Sequence, residues 1–213
     1  MNSLNSSLLD RVIVELDSAL GVLASVAPSS RRSPGAGIES GNLTAAEQDA
    51  GAALMRVNHA GEVAAQALYR GQAFTSREPA VRESLLNAAE EEQNHLIWCQ
   101  QRVRELGGRT SLFGPLWYAG SFALGAAAGL LGRSASLGFV VETERQVEEH
   151  LSGHLEQLPA GDLASRAIVQ QIRTDEAAHG AQARALGGSE LSEPARAAMR
   201  VVARVMTTIA RRL

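Results

Sequence analysis

Two Glu-x-x-His pairs carry the chemistry open to this chain: Glu92 with His95, and Glu176 with His179. Residues three apart on a helix share a face, so each pair offers a carboxylate and an imidazole in one direction. A further glutamate precedes each pair, Glu62 standing 30 residues before Glu92 and Glu144 standing 32 before Glu176. Four glutamates and two histidines from four helices are the donor set of a dinuclear carboxylate bundle. On this reading Glu62 and His95 serve one metal, Glu144 and His179 the other, and Glu92 and Glu176 bridge them. No thiolate belongs to the set, which disfavours structural zinc, and calcium does not select imidazole. Iron or manganese suits carboxylates combined with imidazole.

A lone Glu-x-x-His is usually a solvent-exposed pair; the surroundings set these apart. Glu62 lies among Ala60, Gly61, Val63, Ala64, Ala65, Ala67 and Leu68, Glu144 follows Val140 and Val141, and Glu176 is flanked by Ala177, Ala178 and Gly180. A carboxylate buried in such company is costly unless it is paired or bound to a metal. Ligating histidines donate their second ring nitrogen to a carboxylate or carbonyl. Asp175 and Glu91, each one residue before a bridging glutamate, could accept from the histidine of the opposite half; the alternative for each, and the weightier one for Glu91, is an exposed acid. His59, one turn before Glu62, is a supporting rather than a ligating candidate, and Tyr69, two turns after Glu62, is a hydrogen-bond donor to the site or a packed core residue. His150 and His154 lie too far round the helix from Glu144 to share its metal and are expected to line a pocket or the surface. Cys99 reads as a small buried thiol.

The elements that hold these residues are helices. Apolar spacing predicts a first helix from Leu4 to Val26, followed by a Pro/Ser/Gly linker from Pro28 to about Asn42. Thr44 and Glu47 form a capping box that opens a long helix running to about Ser76. Glu78-Pro79 restarts the chain, and Gly107-Gly108 ends the next helix at Leu106. Leu112 to Leu131 is uncharged, about long enough to span a bilayer, and interrupted by several glycines. A helix from Ser134 to about Leu158 carries Glu144, and another, capped by Asp162, carries Glu176 and His179 and stops at Gly187-Gly188. The last, from Glu193-Pro194 to Leu213, sets Arg196, Arg200 and Arg204 opposite Met199, Val202, Met206 and Ile209. The fold class expected is all-α: a four-helix bundle of two similar halves with extra N-terminal, apolar and C-terminal helices.

Composition narrows the function. Of 213 residues 45% are apolar and only 4% aromatic, so the core is built from Ala, Leu and Val, which favours helices. A net charge of −3, with arginine supplying every basic residue, gives no electrostatic reason to expect a nucleic-acid partner. The single cysteine excludes an internal disulfide. Acidic residues interrupt the N-terminal apolar stretch, which reads neither as a secretory signal nor as a mitochondrial presequence.

Several stretches together resemble the Coq7 family of ubiquinone biosynthesis: Arg56-Val-Asn-His-Ala-Gly-Glu62, Tyr69, Glu92-x-x-His95-Leu96, Val141-x-x-Glu144-x-x-Val147-x-x-His150-Leu151 and Asp175-Glu176-x-x-His179. The resemblance covers about residues 43–213, which it implies to be a ferritin-like di-iron hydroxylase domain, and leaves residues 1–42 as an N-terminal helix and linker, read as a flexible tether. It implies two iron ions per chain on the six residues named above. It also implies an O2-dependent monooxygenase that hydroxylates the ring of a prenylated, singly methoxylated benzoquinol, with electrons from NAD(P)H through a reductase or the quinone itself. The substrate is membrane-borne. The resemblance therefore implies peripheral association with the cytoplasmic face of a bacterial inner membrane, possible contact with other ubiquinone-biosynthesis proteins, and no nucleic acid. Leu112–Leu131 would form an apolar hairpin or helix that dips into the lipid and lines a route for the prenyl tail, and the arginines of the last helix would face anionic lipid; the alternatives are ordinary core packing and a solvated basic face. Leu151 departs from a pattern in which an aromatic residue can follow the histidine. The alternative that the donor set allows is a ferritin-like iron-storage or peroxidase protein.

Overall fold

The computed structural model describes residues 8–24 and 29–213, and these form seven α-helices. The central four are α2 (Ala45–Thr75), α3 (Pro79–Glu105), α5 (Arg133–Gln157) and α6 (Leu163–Ala185). α2 pairs with α3 and α5 with α6, and the two hairpins face each other. The ends lie where the sequence puts them. At α2 both capping-box bonds form, Glu47 N–H donating to Thr44 Oγ1 at 3.3 Å and Thr44 N–H to Glu47 Oε2 at 2.8 Å. Asp162 caps α6 by accepting from Ser165 N–H at 3.1 Å. α3 and α6 both end in Leu-Gly-Gly, with the first glycine at positive φ (74° at Gly107, 102° at Gly187), a conformation that other residues rarely adopt.

Three helices surround this core: α1 (Leu8–Ala24), α4 (Gly114–Leu130) and α7 (Glu193–Arg212). α4 is the uncharged stretch. It is a single helix packed along α2, and no described helix is long and apolar enough to cross a membrane. The close approach depends on glycine. A Cβ on Gly125 would overlap the Leu68 carbonyl, one on Gly71 would overlap the Phe122 carbonyl, and one on Gly129 would overlap Thr75 Oγ1. Apolar contacts from Tyr118 and Phe122 to Val63 and Ala67 complete the seam.

The N-terminal helix is described over residues 8–24. The outer parts of the expected Leu4–Val26 span, and Pro28 of the expected linker, lie outside the described residues. The described part of this segment packs against the bundle, unlike the flexible tether expected. Val22, Ala19 and Leu23 pack against α2 and α4, and Glu15 accepts from Arg70 at 2.8 Å. Residues 29–41 run as a strap over the bundle. Ser40 meets the buried Arg102, which pairs with the fully buried Asp162 at 2.7 Å and donates to Ser165 Oγ at 2.9 Å. Gly41 N–H donates to Gly161 O at 3.0 Å.

The α2–α4 seam yields a direct test. Gly125→Ala is expected to lose about 1–3 kcal/mol in a thermal or denaturant melt, because a methyl group there meets backbone that cannot yield. Gly120→Ala, on the open side of the same helix with nothing within 4 Å of the added carbon, should be neutral or stabilising by about 0.5–1 kcal/mol.

Candidate metal centre

α2, α3, α5 and α6 each turn one stripe inward, and on those stripes stand the acids and imidazoles. Glu62, Glu92, His95, Glu144, Glu176 and His179 are all buried. Small residues make room for them: a Cβ on Gly180 would lie only 3.3 Å from Glu144 Cβ, so α5 and α6 approach closely there because residue 180 has no side chain.

The six residues form two overlapping groups whose ligand atoms lie within 4.8 Å of one another and could hold a metal ion: Glu62, Glu92, His95 and Glu176 in one, Glu92, Glu144, Glu176 and His179 in the other. Glu92 and Glu176 belong to both. His95 Nδ1 lies 2.9 Å from Glu92, 3.5 Å from Glu176 and 3.8 Å from Glu62. His179 Nδ1 lies 3.2 Å from Glu92, 3.3 Å from Glu176 and 3.9 Å from Glu144. The outward nitrogens reach across the halves, His95 Nε2 to Asp175 at 3.0 Å and His179 Nε2 to Glu91 at 2.7 Å. A carboxylate on Nε2 keeps the proton there and leaves Nδ1 free to act as a donor to a metal.

The electrostatics show how hard this cluster is to hold without cations. Burial, and then the Glu92 charge, lift the Glu62 carboxyl well above the usual carboxylate range; burial and the Glu176 charge do the same to Glu144. Burial opposes ionisation of Glu92 too, but the charge of His95 and hydrogen bonds from both histidines bring it below that range. Burial works against charging the histidines, yet Glu92 lifts His95 well above its ordinary value. Hydrogen bonds to Glu176 and Glu92 push His179 up to about 12. The metal-free cluster therefore neutralises itself with protons.

The supporting residues fall into two sets. Tyr69, fully buried, donates its hydroxyl to Glu144 Oε1 and so belongs to the site. Asp175 and Glu91 take the positions expected from spacing. His59 stays apart: no described hydrogen bond or ion pair joins it to the six, and burial, with the Arg104 charge, lowers it to about 4. His150 packs its ring 3.9 Å from that of His154, whose Nδ1 lies 2.7 Å from Asn58 Oδ1. Cys99 is buried, and burial pushes its thiol up, so it is not a nucleophile. Sequence reasoning missed the strap. Arg31 pairs with Asp175 at 2.9 Å, and Asn94 Oδ1 accepts from Ser29, Ser30 and Arg31. Contacts between residues so distant in sequence leave no local signal.

Comparison with known proteins agrees with this architecture. A solved dodecameric thioferritin, the bacterioferritin-related protein of Bacteroides fragilis, superposes with a TM-score of 0.55 at 16% identity, covering 80% of this chain and 92% of that one. That likeness establishes a ferritin-like fold. Curated relatives are far closer in sequence. The 3-demethoxyubiquinol 3-hydroxylase of Dechloromonas aromatica is 53% identical over 95% of this chain and 98% of its own length. The enzymes of the same name from Ralstonia pickettii (53%, covering 97% and 100%) and Chromobacterium violaceum (54%, covering 94% and 97%) match as well. The family described as Ubiquinone biosynthesis protein COQ7 matches residues 49–210, a span that contains all six buried acids and imidazoles and their carboxylate partners. On that match and those identities, the chain belongs to the COQ7 family.

Proposed function

We propose that this protein is a di-iron monooxygenase that hydroxylates the ring of 3-demethoxyubiquinol with O2 in ubiquinone biosynthesis. The observation that carries the reading is the pair of buried donor groups sharing Glu92 and Glu176, in a chain whose relatives of the same length are hydroxylases of that quinol. The donors fit the ions: four carboxylates balance two divalent charges, and both imidazoles present an unprotonated-capable Nδ1 inward. Glu62 and His95 would hold one iron, Glu144 and His179 the other, with Glu92 and Glu176 between them. When bound, the iron pair would supply O2 activation; one oxygen atom enters the ring and the other leaves as water, with two protons and with two electrons from NAD(P)H through a reductase or through the quinone itself. The protein's own residues supply the rest. Asp175 and Glu91 fix the imidazoles, Tyr69 holds Glu144 in one orientation, and the Ala- and Val-rich walls exclude water.

The same reading places the protein on the cytoplasmic face of a bacterial inner membrane, where its substrate resides. Three surrounding helices support this with exposed apolar side chains. Leu116, Leu124, Leu130 and Leu131 line the outer side of the α4 region, Leu9, Ile13, Leu16 and Leu20 stand out on α1, and Val201, Val202 and Val205 on α7. A peripheral protein drawing a prenylated quinol from lipid needs such a surface.

Two experiments test the proposal. In the first, the purified chain is assayed for iron and for O2-dependent hydroxylation of a short-chain demethoxyubiquinol with a chemical reductant. Two irons per chain and a hydroxylated product are expected, and Glu144→Ala should lose iron and at least roughly a hundredfold in rate. Iron accumulating far beyond two per chain, with no quinol product, would instead identify a storage protein.

The second varies pH. His95 and His179 have raised values, so their stabilising contribution is complete below the unfolded value near 6.5 and is lost as pH rises, for His179 through about 12. Glu62 and Glu144 are also raised and keep protons only in the folded chain, so their contribution too falls as pH rises past the unfolded value near 4.5. The metal-free protein should therefore melt at lower temperature at about pH 8 than at about pH 6, whereas the rise in melting temperature on adding Fe2+ should grow over the same interval, because binding expels those protons. An iron-induced shift that shrinks with pH would contradict the ligand assignment.

A further inference from the structure

Resting on the proposed metal centre, we infer that Arg31 is a positioning residue that fastens the His95 half, making the two metal positions unequal in how readily they release their ions. The Arg31 guanidinium donates at 2.9 Å to Asp175 Oδ2, the same oxygen that lies 3.0 Å from His95 Nε2. Gln171 donates to the other oxygen at 2.9 Å, so the carboxylate that orients His95 is held on both sides. Arg31 is itself held. Its carbonyl accepts from Trp98 Nε1 at 3.2 Å, and its guanidinium lies 5.1 Å over the Trp98 ring, which in turn sits 5.4 Å from the His95 ring. Asn94 Oδ1 gathers Ser29 Oγ (2.8 Å), Ser30 N–H (2.9 Å) and Arg31 N–H (3.1 Å), tying the strap's backbone to α3, the helix that carries His95.

The other half has no such brace. His179 Nε2 relies on Glu91, whose side chain is 55% exposed and has no cation among its described contacts. Glu91 also borders an open cleft of about 500 Å³, lined in addition by Ser30, Arg31, Asn87, Glu90 and Asn94. An exposed acceptor orients its imidazole less firmly than one held by two further donors, Arg31 and Gln171, and this orientation governs how tightly a histidine holds its metal. The strap thus fastens the acceptor of His95, which is 17% exposed, and leaves the 55% exposed acceptor of His179 without a cation among its described contacts.

The test follows the removal of iron from the full chain, loaded anaerobically with two Fe2+, by a bipyridine chelator. The parent should release its irons in two phases of one iron each. Arg31→Ala should accelerate the slow phase roughly tenfold and leave the fast phase unchanged. Arg31→Lys, which keeps the cation, should return the slow phase toward the parent rate. Arg32→Ala removes a neighbouring arginine whose described hydrogen bond reaches only Ala36 O, at 3.4 Å, and should change neither phase. A single phase in the parent, an unchanged slow phase in Arg31→Ala, or equal acceleration in Arg32→Ala would overturn the inference while leaving the metal centre intact. A chain that takes up no iron would overturn the centre and this inference together.

Discussion

Four glutamates and two histidines share one buried volume, and the rest of the molecule is arranged around that demand. Carboxylates removed from water and set beside one another repel, and the apolar walls offer them nothing. In the metal-free chain the strain is relieved by protons, on Glu62, Glu144 and both imidazoles. Two divalent ions would relieve it better, since each could be held by four residues and Glu92 and Glu176 belong to both groups.

The scaffold answers this demand twice over. Each hairpin contributes one isolated glutamate and one Glu-x-x-His, and each histidine is oriented by a carboxylate from the opposite hairpin. Asp175 of α6 serves His95 of α3, and Glu91 of α3 serves His179 of α6. The halves of the bundle are therefore joined through the site itself as well as through the apolar core. The outer helices add asymmetry to this pseudo-repeat. α4 seats on α2 through glycines, and the strap before α2 pairs through Arg31 with Asp175, the acceptor of His95.

Much of this was legible in the sequence because its determinants are local. The Thr44–Glu47 box, Pro79, Asp162 and the two Leu-Gly-Gly stops each act within one helical turn, so the ends of the central helices could be read directly. The inward acids announced themselves by their apolar neighbours, and position made Asp175 and Glu91 candidate acceptors, while only the packed helices distinguish those roles from exposed acids. What escaped was long-range. Arg31 meets Asp175 across 144 residues of chain, from a segment whose Pro/Ser/Gly composition reads as tether. The course of α4 also escaped, because Gly125 and Gly129 interrupt hydropathy in the sequence yet, with Gly71 of α2, allow close packing in the fold. His59 shows the limit of periodicity: it stands three residues from Glu62, the spacing that joins Glu92 to His95, yet no described contact joins it to the site.

The claim at the centre of this account is that two cations lie between Glu92 and Glu176. Anomalous diffraction at the iron edge from iron-loaded crystals tests it most directly. Two peaks about 3.5–4 Å apart are expected, one beside Glu62 and His95 and the other beside Glu144 and His179. A single peak, or iron bound only outside the bundle, would contradict it.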